Sequence, residues 1–448
     1  MKKETRQFIH DVMTLAIPIG FQSLINNLVN MIDGIMIGQL GESCISAVSV
    51  SGTFLWLADT FIMGISGGAA IIMAQDYGKG EMKRIKRLFS FVLILASCIA
   101  LVFFMLMTLF PAQILRIYSS MPTIIEPGVS YMKYLRFSMA LNMISMSIIA
   151  MLRSVRSVKL GLYNSMCSCV SNVFFNWVFI FGNLGAPAMG VAGAALGTLI
   201  ARMIEFIVSL TYLFVFEKNL TFRIQDFDPR LDLSFLKQYA IISLPLLAID
   251  VLNNFSSSVQ TMITGRINEY YLSANSIVHN SWMLPSLFLG GIGMAAGVMI
   301  GNAIGQKDFE KAKKDSARFI YAALIFGAFA GVMVQVIRPI LSSFYNVLPE
   351  TLLLAKQMGY AASISVFFQS IARILCNGVI KAGGMTQKIL KIDVISTWLI
   401  AIPLGYISAF VLHLPAAFLY LILRSSNIVK AFWAFVRIKK QDWIQVIE

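Results

Sequence analysis

The chain has 448 residues, 58% of them hydrophobic and 13% charged, with a mean hydropathy of +0.76. Soluble domains carry roughly 25% charged residues, so this composition excludes an ordinary water-soluble fold and points to a lipid bilayer. The net charge of +14 would suit nucleic acid in a soluble protein, but no basic run is interleaved with aromatics, and nucleic acid is not expected as a partner.

In chain order, "MKKETRQFIHD" leads straight into an apolar stretch at 14–38. That stretch is longer than the apolar core of a cleavable signal and lacks a small-residue cleavage site. Further apolar windows follow at 44–73, 88–110, 131–152, 160–182, 191–216, 241–264, 274–301, 317–338, 352–378, 389–411 and 415–436. At ~1.5 Å rise per residue most of these can cross ~30 Å of hydrocarbon, and the longer ones need tilt. The reading is an all-α integral membrane protein with twelve transmembrane helices.

Twelve crossings place both termini on one side. The clusters "KKETR", "KGEMKRIKR", "RSVRSVK", "KDFEKAKKDSAR" and "RIKK" all fall there, while the opposite side has little besides Arg116, Arg266 and Arg338. Lys and Arg mark cytoplasmic loops, so the termini are expected in the cytoplasm, with the protein in the plasma membrane of a bacterium (its inner membrane). The five cysteines, 44, 98, 167, 169 and 376, lie in or beside apolar segments without a CxxC, which is no disulfide framework.

The chain repeats itself. A shift of 227 residues puts Pro18 on Pro245, Asn26 and Asn27 on Asn253 and Asn254, Gly38 on Gly265, Gly64 on Gly291 and Gly78 on Gly305. Without a gap, 15 of the 74 pairs from residue 14 to 87 are identical, and aligned Pro, Asn and Gly are not a product of apolar composition. The expected domains are an amino-terminal six-helix lobe at 1–216, a cytoplasmic linker at 217–238, and a carboxy-terminal six-helix lobe with a cytoplasmic tail at 239–448. Six crossings per half make the repeat parallel, an architecture of alternating-access transporters with the substrate between the halves.

Ionisable groups within such spans are costly and mark function. Asp33 sits five residues before the outer end of the first span. Asn172 and Asn176 share a face of the fifth, and Thr198 lies seven residues into the sixth. All three depths come to roughly 8–10 Å below the outer surface, so these residues can form one oxygen-rich pocket for a proton or a small cation. Position 33 maps to Gln260, which cannot ionise; the second half offers Asp250, Asn253, Asn254 and Ser257 on the seventh span, a second polar site or part of a substrate cavity. His279 on the eighth span is expected to join it, and Asp59 on the second to line the central cavity. Arg202 and Glu205, three apart, are expected to neutralise each other. No HExxH, Walker A or other phosphate loop occurs, so neither an enzyme nor an ATP-driven pump is expected. No cofactor is expected, and an ion gradient is the energy source.

"IPIGFQSLINNLVNMIDGIMIGQLGESCISAVSV" followed by "GISGGAAIIMAQDYGKGE" resembles the first two helices of the multidrug and toxic compound extrusion (MATE) family, and "NVFFNWVFIFGNLGAPAMGVAGAALGTLIAR" resembles its fifth and sixth. The resemblance implies an exporter of small, amphipathic, often cationic organic compounds, with two six-helix lobes that rock between inward- and outward-open states; membrane lipids are its expected surroundings and a monomer its expected state. It is driven by inward flow of H+ or Na+. The resemblance matches the family's first-helix carboxylate to Asp33, where Na+ is the metal alternative to a proton, its fifth-helix polar pair to Asn172 and Asn176, and its sixth-helix hydroxyl to Thr198. This chain has Asn176 where many members have Asp, and Asn253 where some have a seventh-helix acid, with Asp250 one turn away. The alternatives are a lipid-linked precursor flippase of related architecture, which would line its cavity with Arg and Lys, and a channel or non-transporting receptor.

Overall fold

The computed structural model describes residues 2–118, 121–267, 269–345 and 347–445. They form fifteen α-helices: α1 (Lys2–Gly38), α2 (Glu42–Lys79), α3 (Met82–Leu109), α4 (Pro111–Tyr118), α5 (Pro122–Ser154), α6 (Lys159–Phe181), α7 (Val191–Thr211), α8 (Leu233–Gly265), α9 (Glu269–Gly305), α10 (Phe309–Ser342), α11 (Pro349–Ile374), α12 (Thr386–Val394), α13 (Ile402–Phe410), α14 (Ala416–Leu423) and α15 (Ser426–Lys440). Wider π turns extend α7 over Tyr212–Phe216 and α11 over Leu375–Ile380, and join α12 to α13 over Ile395–Ala401. Such turns leave a ladder bond longer than usual and occur often at functional sites.

Among the described residues, ten helices are long and apolar enough to cross a membrane, and α14 with α15, bent by 46°, make an eleventh. The twelfth expected crossing is α6. Its 23 residues are long enough, but Asn164, Asn172 and Asn176 dilute its apolar character.

The helices form two compact units. The amino-terminal unit comprises Phe21–Met73 and Glu81–Tyr239; the carboxy-terminal unit comprises Met1–Gly20, Ala74–Gly80 and Ala240–Glu448. The division by chain order at 217–238 therefore differs from the division by packing. Residues 1–20 and 74–80 belong with the later helices, and 217–239 belongs with the earlier ones.

In the carboxy-terminal unit, Phe8 stacks edge-on against Phe319 at 5.0 Å between ring centres, and Arg318 pairs with Glu4 at 3.3 Å. The Asn302 amide donates to the Ala74 carbonyl at 2.8 Å, and the Gln75 amide to the Ala382 carbonyl at 2.9 Å. The last turn of α2 and the last turn of α9 cross there. Gly78 lies against the backbone of Asn302, and Gly305 against that of Gln75. A side chain at either would push the helices apart, which is why the two repeat-equivalent positions are both glycine.

The amino-terminal unit has a core of Ala58, Ile62, Phe103, Leu115, Met132, Met139, Ala194 and their neighbours from α1 to α7. The segment 217–238 is clamped onto the start of α3 rather than hanging free. Lys86 pairs with Asp226 at 2.9 Å and Arg87 with Asp228 at 3.3 Å, while Phe89 packs on Phe222 at 5.0 Å. The Tyr239 hydroxyl then donates to the Ile65 carbonyl at 3.0 Å.

Candidate functional site

Asp33, Asn172, Asn176 and Thr198 converge in the amino-terminal unit as one chain of hydrogen bonds across α1, α6 and α7. The Asn176 amide nitrogen donates to Asp33 Oδ1 at 2.6 Å and to Asn172 Oδ1 at 3.3 Å, and the Asn172 amide nitrogen donates to Thr198 Oγ1 at 3.3 Å. Asn172 and Asn176 are 2% and 0% exposed, so neither amide has bulk water as an alternative partner. The arrangement depends on how closely α7 approaches α6. A Cβ on Gly193 would strike the Phe179 carbonyl, and one on Gly197 would strike the Asn176 amide oxygen and backbone. The motif "GAALG" therefore sets the distance between the helices. It also leaves Asn176 Oδ1 buried without a hydrogen-bond donor.

Below this cluster, α6 stays joined to α1 and to α7 by polar pairs. Ser165 donates to Asn26 Oδ1 at 2.8 Å, and Asn164 donates to Ser209 on α7 at 2.6 Å.

Asp59 has a partner that no local spacing could reveal. Asn142 on α5 donates to its Oδ1 at 3.0 Å, across 83 residues of sequence. Arg202 and Glu205 form the expected ion pair on α7, with Glu205 only 5% exposed.

The second polar set is less connected. Ser257 donates to the Asn253 carbonyl at 3.0 Å, Ser258 to the Asn254 carbonyl at 3.2 Å, and Gln260 to Ser256 at 3.1 Å, all within α8. The His279 ring packs edge-on against Trp282 at 5.1 Å on its own helix. Asp250 also lies on α8, and Asp393 is paired with Lys430 of α15 at 2.7 Å. This ion pair joins residues 37 apart, a separation that no helical spacing in the sequence links.

The MatE family model matches residues 18–178 and again 245–407, two copies whose starts are offset as the internal repeat is. The chain belongs to the MatE family. It is 22% identical to the probable multidrug resistance protein YoeA of Bacillus subtilis (strain 168), over 98% of this chain and 96% of that protein. It is also 22% identical to the multidrug resistance protein NorM of Photobacterium profundum, over 91% of this chain and 88% of that one. Among solved structures, the MATE transporter VcmN of Vibrio cholerae in its bent form superposes with a TM-score of 0.87 at 17% identity, covering 99% of this chain and 100% of that one. This MatE protein thus shares the twelve-helix transporter fold, and it is a multi-pass integral membrane protein.

Proposed function

We propose that this MatE protein is a secondary active multidrug exporter that exchanges a small organic, often cationic, substrate for an inward-moving H+ or Na+. The observation that carries the reading is the Asp33–Asn176–Asn172–Thr198 hydrogen-bond chain. It links a carboxylate, two amides and a hydroxyl across three helices, a donor set suited to a proton or a sodium ion. The relatives' names, multidrug resistance proteins, supply the substrate class. The protein acts as a monomer in the plasma membrane with both termini cytoplasmic, the side to which its basic loops point.

Cation binding at Asp33 changes the hydrogen bonding among α1, α6 and α7 and so shifts the balance between conformations. A ligand moves such a balance only by its different affinity for the two states. The carboxylates of Asp33 and Asp59 in this unit also argue against a flippase of phosphate-bearing lipids, whose cargo a negative charge would repel.

The test is dye export from inverted vesicles under an imposed proton or sodium gradient, comparing the wild type with Asp33→Asn at equal expression. Loss of gradient-driven export in the variant is expected. Export that continues unchanged would remove Asp33 from coupling, and the gradient that drives the wild type identifies the ion.

A further inference from the structure

A groove of about 420 Å³ opens on the flank of the amino-terminal unit, between α3, α5 and α7. Its walls are hydrocarbon: Phe104 of α3, Phe137 and Leu141 of α5, and Leu199, Met203 and Ile207 of α7. On α7 these residues recur every fourth position and form one stripe along the helix. A separate stripe, Gly193 and Gly197, meets α6. Phe137, Met203 and Ile207 are exposed, and in a bilayer such a surface faces acyl chains. Apolar walls alone would make this ordinary lipid-facing surface. A cation at one end makes it selective.

Arg136 of α5 lies over two of the lining rings, its guanidinium carbon 5.6 Å from the centre of Phe104 and 5.1 Å from that of Phe137. The two rings pack edge-on against each other at 5.0 Å. Among the described residues no carboxylate pairs with Arg136, and its Nε is buried without an acceptor. Rings held against a guanidinium stabilise it without using its N–H donors. The terminal nitrogens stay available to a phosphate, which arginine meets with two bonds at once. Lys133, exposed and one turn earlier on α5, adds a second positive charge at the same end. Depth agrees. Arg136 stands five residues into the apolar window 131–152, roughly 8 Å from its edge, and side chains lean toward the helix N-terminus, here the headgroup end. Ile207 lies 16 residues beyond Val191, roughly 24 Å along α7. The groove thus runs from headgroup level to beyond the middle of the bilayer, as an acyl chain does.

We propose that this groove is a binding site for one anionic phospholipid of the phosphatidylglycerol class, its phosphate on Arg136 and one acyl chain laid along α7. The charge of Arg136 selects among occupants. A cationic drug is repelled by it, and a zwitterionic lipid, which brings its own cation, gains less from it. The bound chain covers the free flank of α7 and braces that helix, whose other stripe is set against α6 by Gly193 and Gly197. The leaflet is the outward one, given the orientation that the basic loops favour. Neither Asp33 nor the identity of the coupling ion enters the argument, so the site stands or falls apart from the transport reading.

The full chain, purified in mild detergent and stripped of lipid, is titrated with phosphatidylglycerol or with phosphatidylcholine of the same acyl chains, and bound lipid is counted by native mass spectrometry. Wild type is expected to take its first phosphatidylglycerol about fivefold more tightly than phosphatidylcholine, the worth of one basic contact near the membrane surface. Arg136→Gln is expected to make the two lipids equal, and Arg136→Lys to keep part of the preference. Arg116→Gln, at an exposed cation on α4, is expected to leave the preference unaltered. Met203→Trp fills the groove from its exposed wall and is expected to weaken both lipids several-fold. The lipid-free unfolding midpoint of each variant, expected near that of wild type, reports that the fold is kept; if Met203→Trp does not fold, the Arg136 series decides alone. Equal affinities in wild type, or a preference that survives Arg136→Gln, would overturn the proposal. An equal loss in Arg116→Gln would do the same, since it would mean diffuse surface charge. Unaltered uptake by a folded Met203→Trp would take the chain out of the groove, and the proposal with it.

Discussion

Asn176 is the residue on which the site turns, and an amide there has a consequence that a carboxylate would not. An amide presents N–H to an empty carboxylate and, by a half-turn of its terminal torsion, an oxygen to a bound cation. In the structure it is turned with the nitrogen to Asp33 Oδ1, and its oxygen lacks a donor. Replacement by leucine removes both faces. A hydrogen bond to a charged group is worth about 1.5–3 kcal/mol, so Asn176→Leu is expected to change cation affinity roughly tenfold or more. The sign identifies the ion. If a proton couples transport, loss of the donor to the ionised carboxylate lowers the half-saturating proton concentration. If sodium does, loss of an oxygen ligand raises the half-saturating sodium concentration. Vesicle export titrated with each ion reads the difference, and no change with either would separate Asn176 from coupling.

At the scale of elements, α7 owes its place to what it lacks. Gly193 and Gly197 admit the α6 backbone and the Asn176 side chain where any Cβ would collide. Gly197→Leu is expected to separate α6 from α7 and break the Asn172–Thr198 bond. Overpacking of this kind costs about 1–3 kcal/mol. A lowered thermal unfolding midpoint of the detergent-purified protein, together with lost export, is the expected outcome; a variant of unchanged midpoint and activity would show that the close approach is dispensable. The polar face of α6 explains why this span has the weakest hydrophobic signal of the twelve. Its amides are expensive in lipid, and their N–H groups donate to α1 and α7 rather than to water.

For the whole molecule, the segment 217–238 is a strap on the amino-terminal unit. Asp226 lies outside the spans, and its carboxyl is held below the ordinary 3.8, first by the hydrogen bond from the Lys86 ammonium and then by the Arg223 backbone N–H. A carboxyl with a depressed folded value contributes stability above its unfolded value and loses it as pH falls through the folded one. The clamp is thus intact near neutral pH and released only in strong acid. Exposed pairs contribute less than about 1 kcal/mol, so Lys86→Met is expected to leave the unfolding midpoint nearly unchanged. Local opening should rise instead, seen as faster protease cleavage within 217–238 at neutral pH. Equal cleavage in wild type and variant would show that the Phe89–Phe222 contact holds the strap without the ion pair.

Much of this protein was legible from the chain itself. Hydrocarbon thickness converts apolar run length into spans, the bias of Lys and Arg gives an expected orientation, and aligned Pro18 and Pro245 or Gly78 and Gly305 expose the repeat. Depth counting along three spans was enough to group Asp33 with Asn172, Asn176 and Thr198, because a helix rises by a fixed amount per residue. Other features were decided only by tertiary packing. Asn142 reaches Asp59 and Lys430 reaches Asp393 across long separations, and the His279 ring packs on Trp282 of its own helix. Residues 1–20 and 74–80 pack with the later helices because side-chain contacts, unlike spans, do not follow chain order. Hydropathy reports how far each residue must stay from water. Which polar group meets which inside the bilayer is fixed by helix rotation and close approach, and those belong to the packed molecule alone.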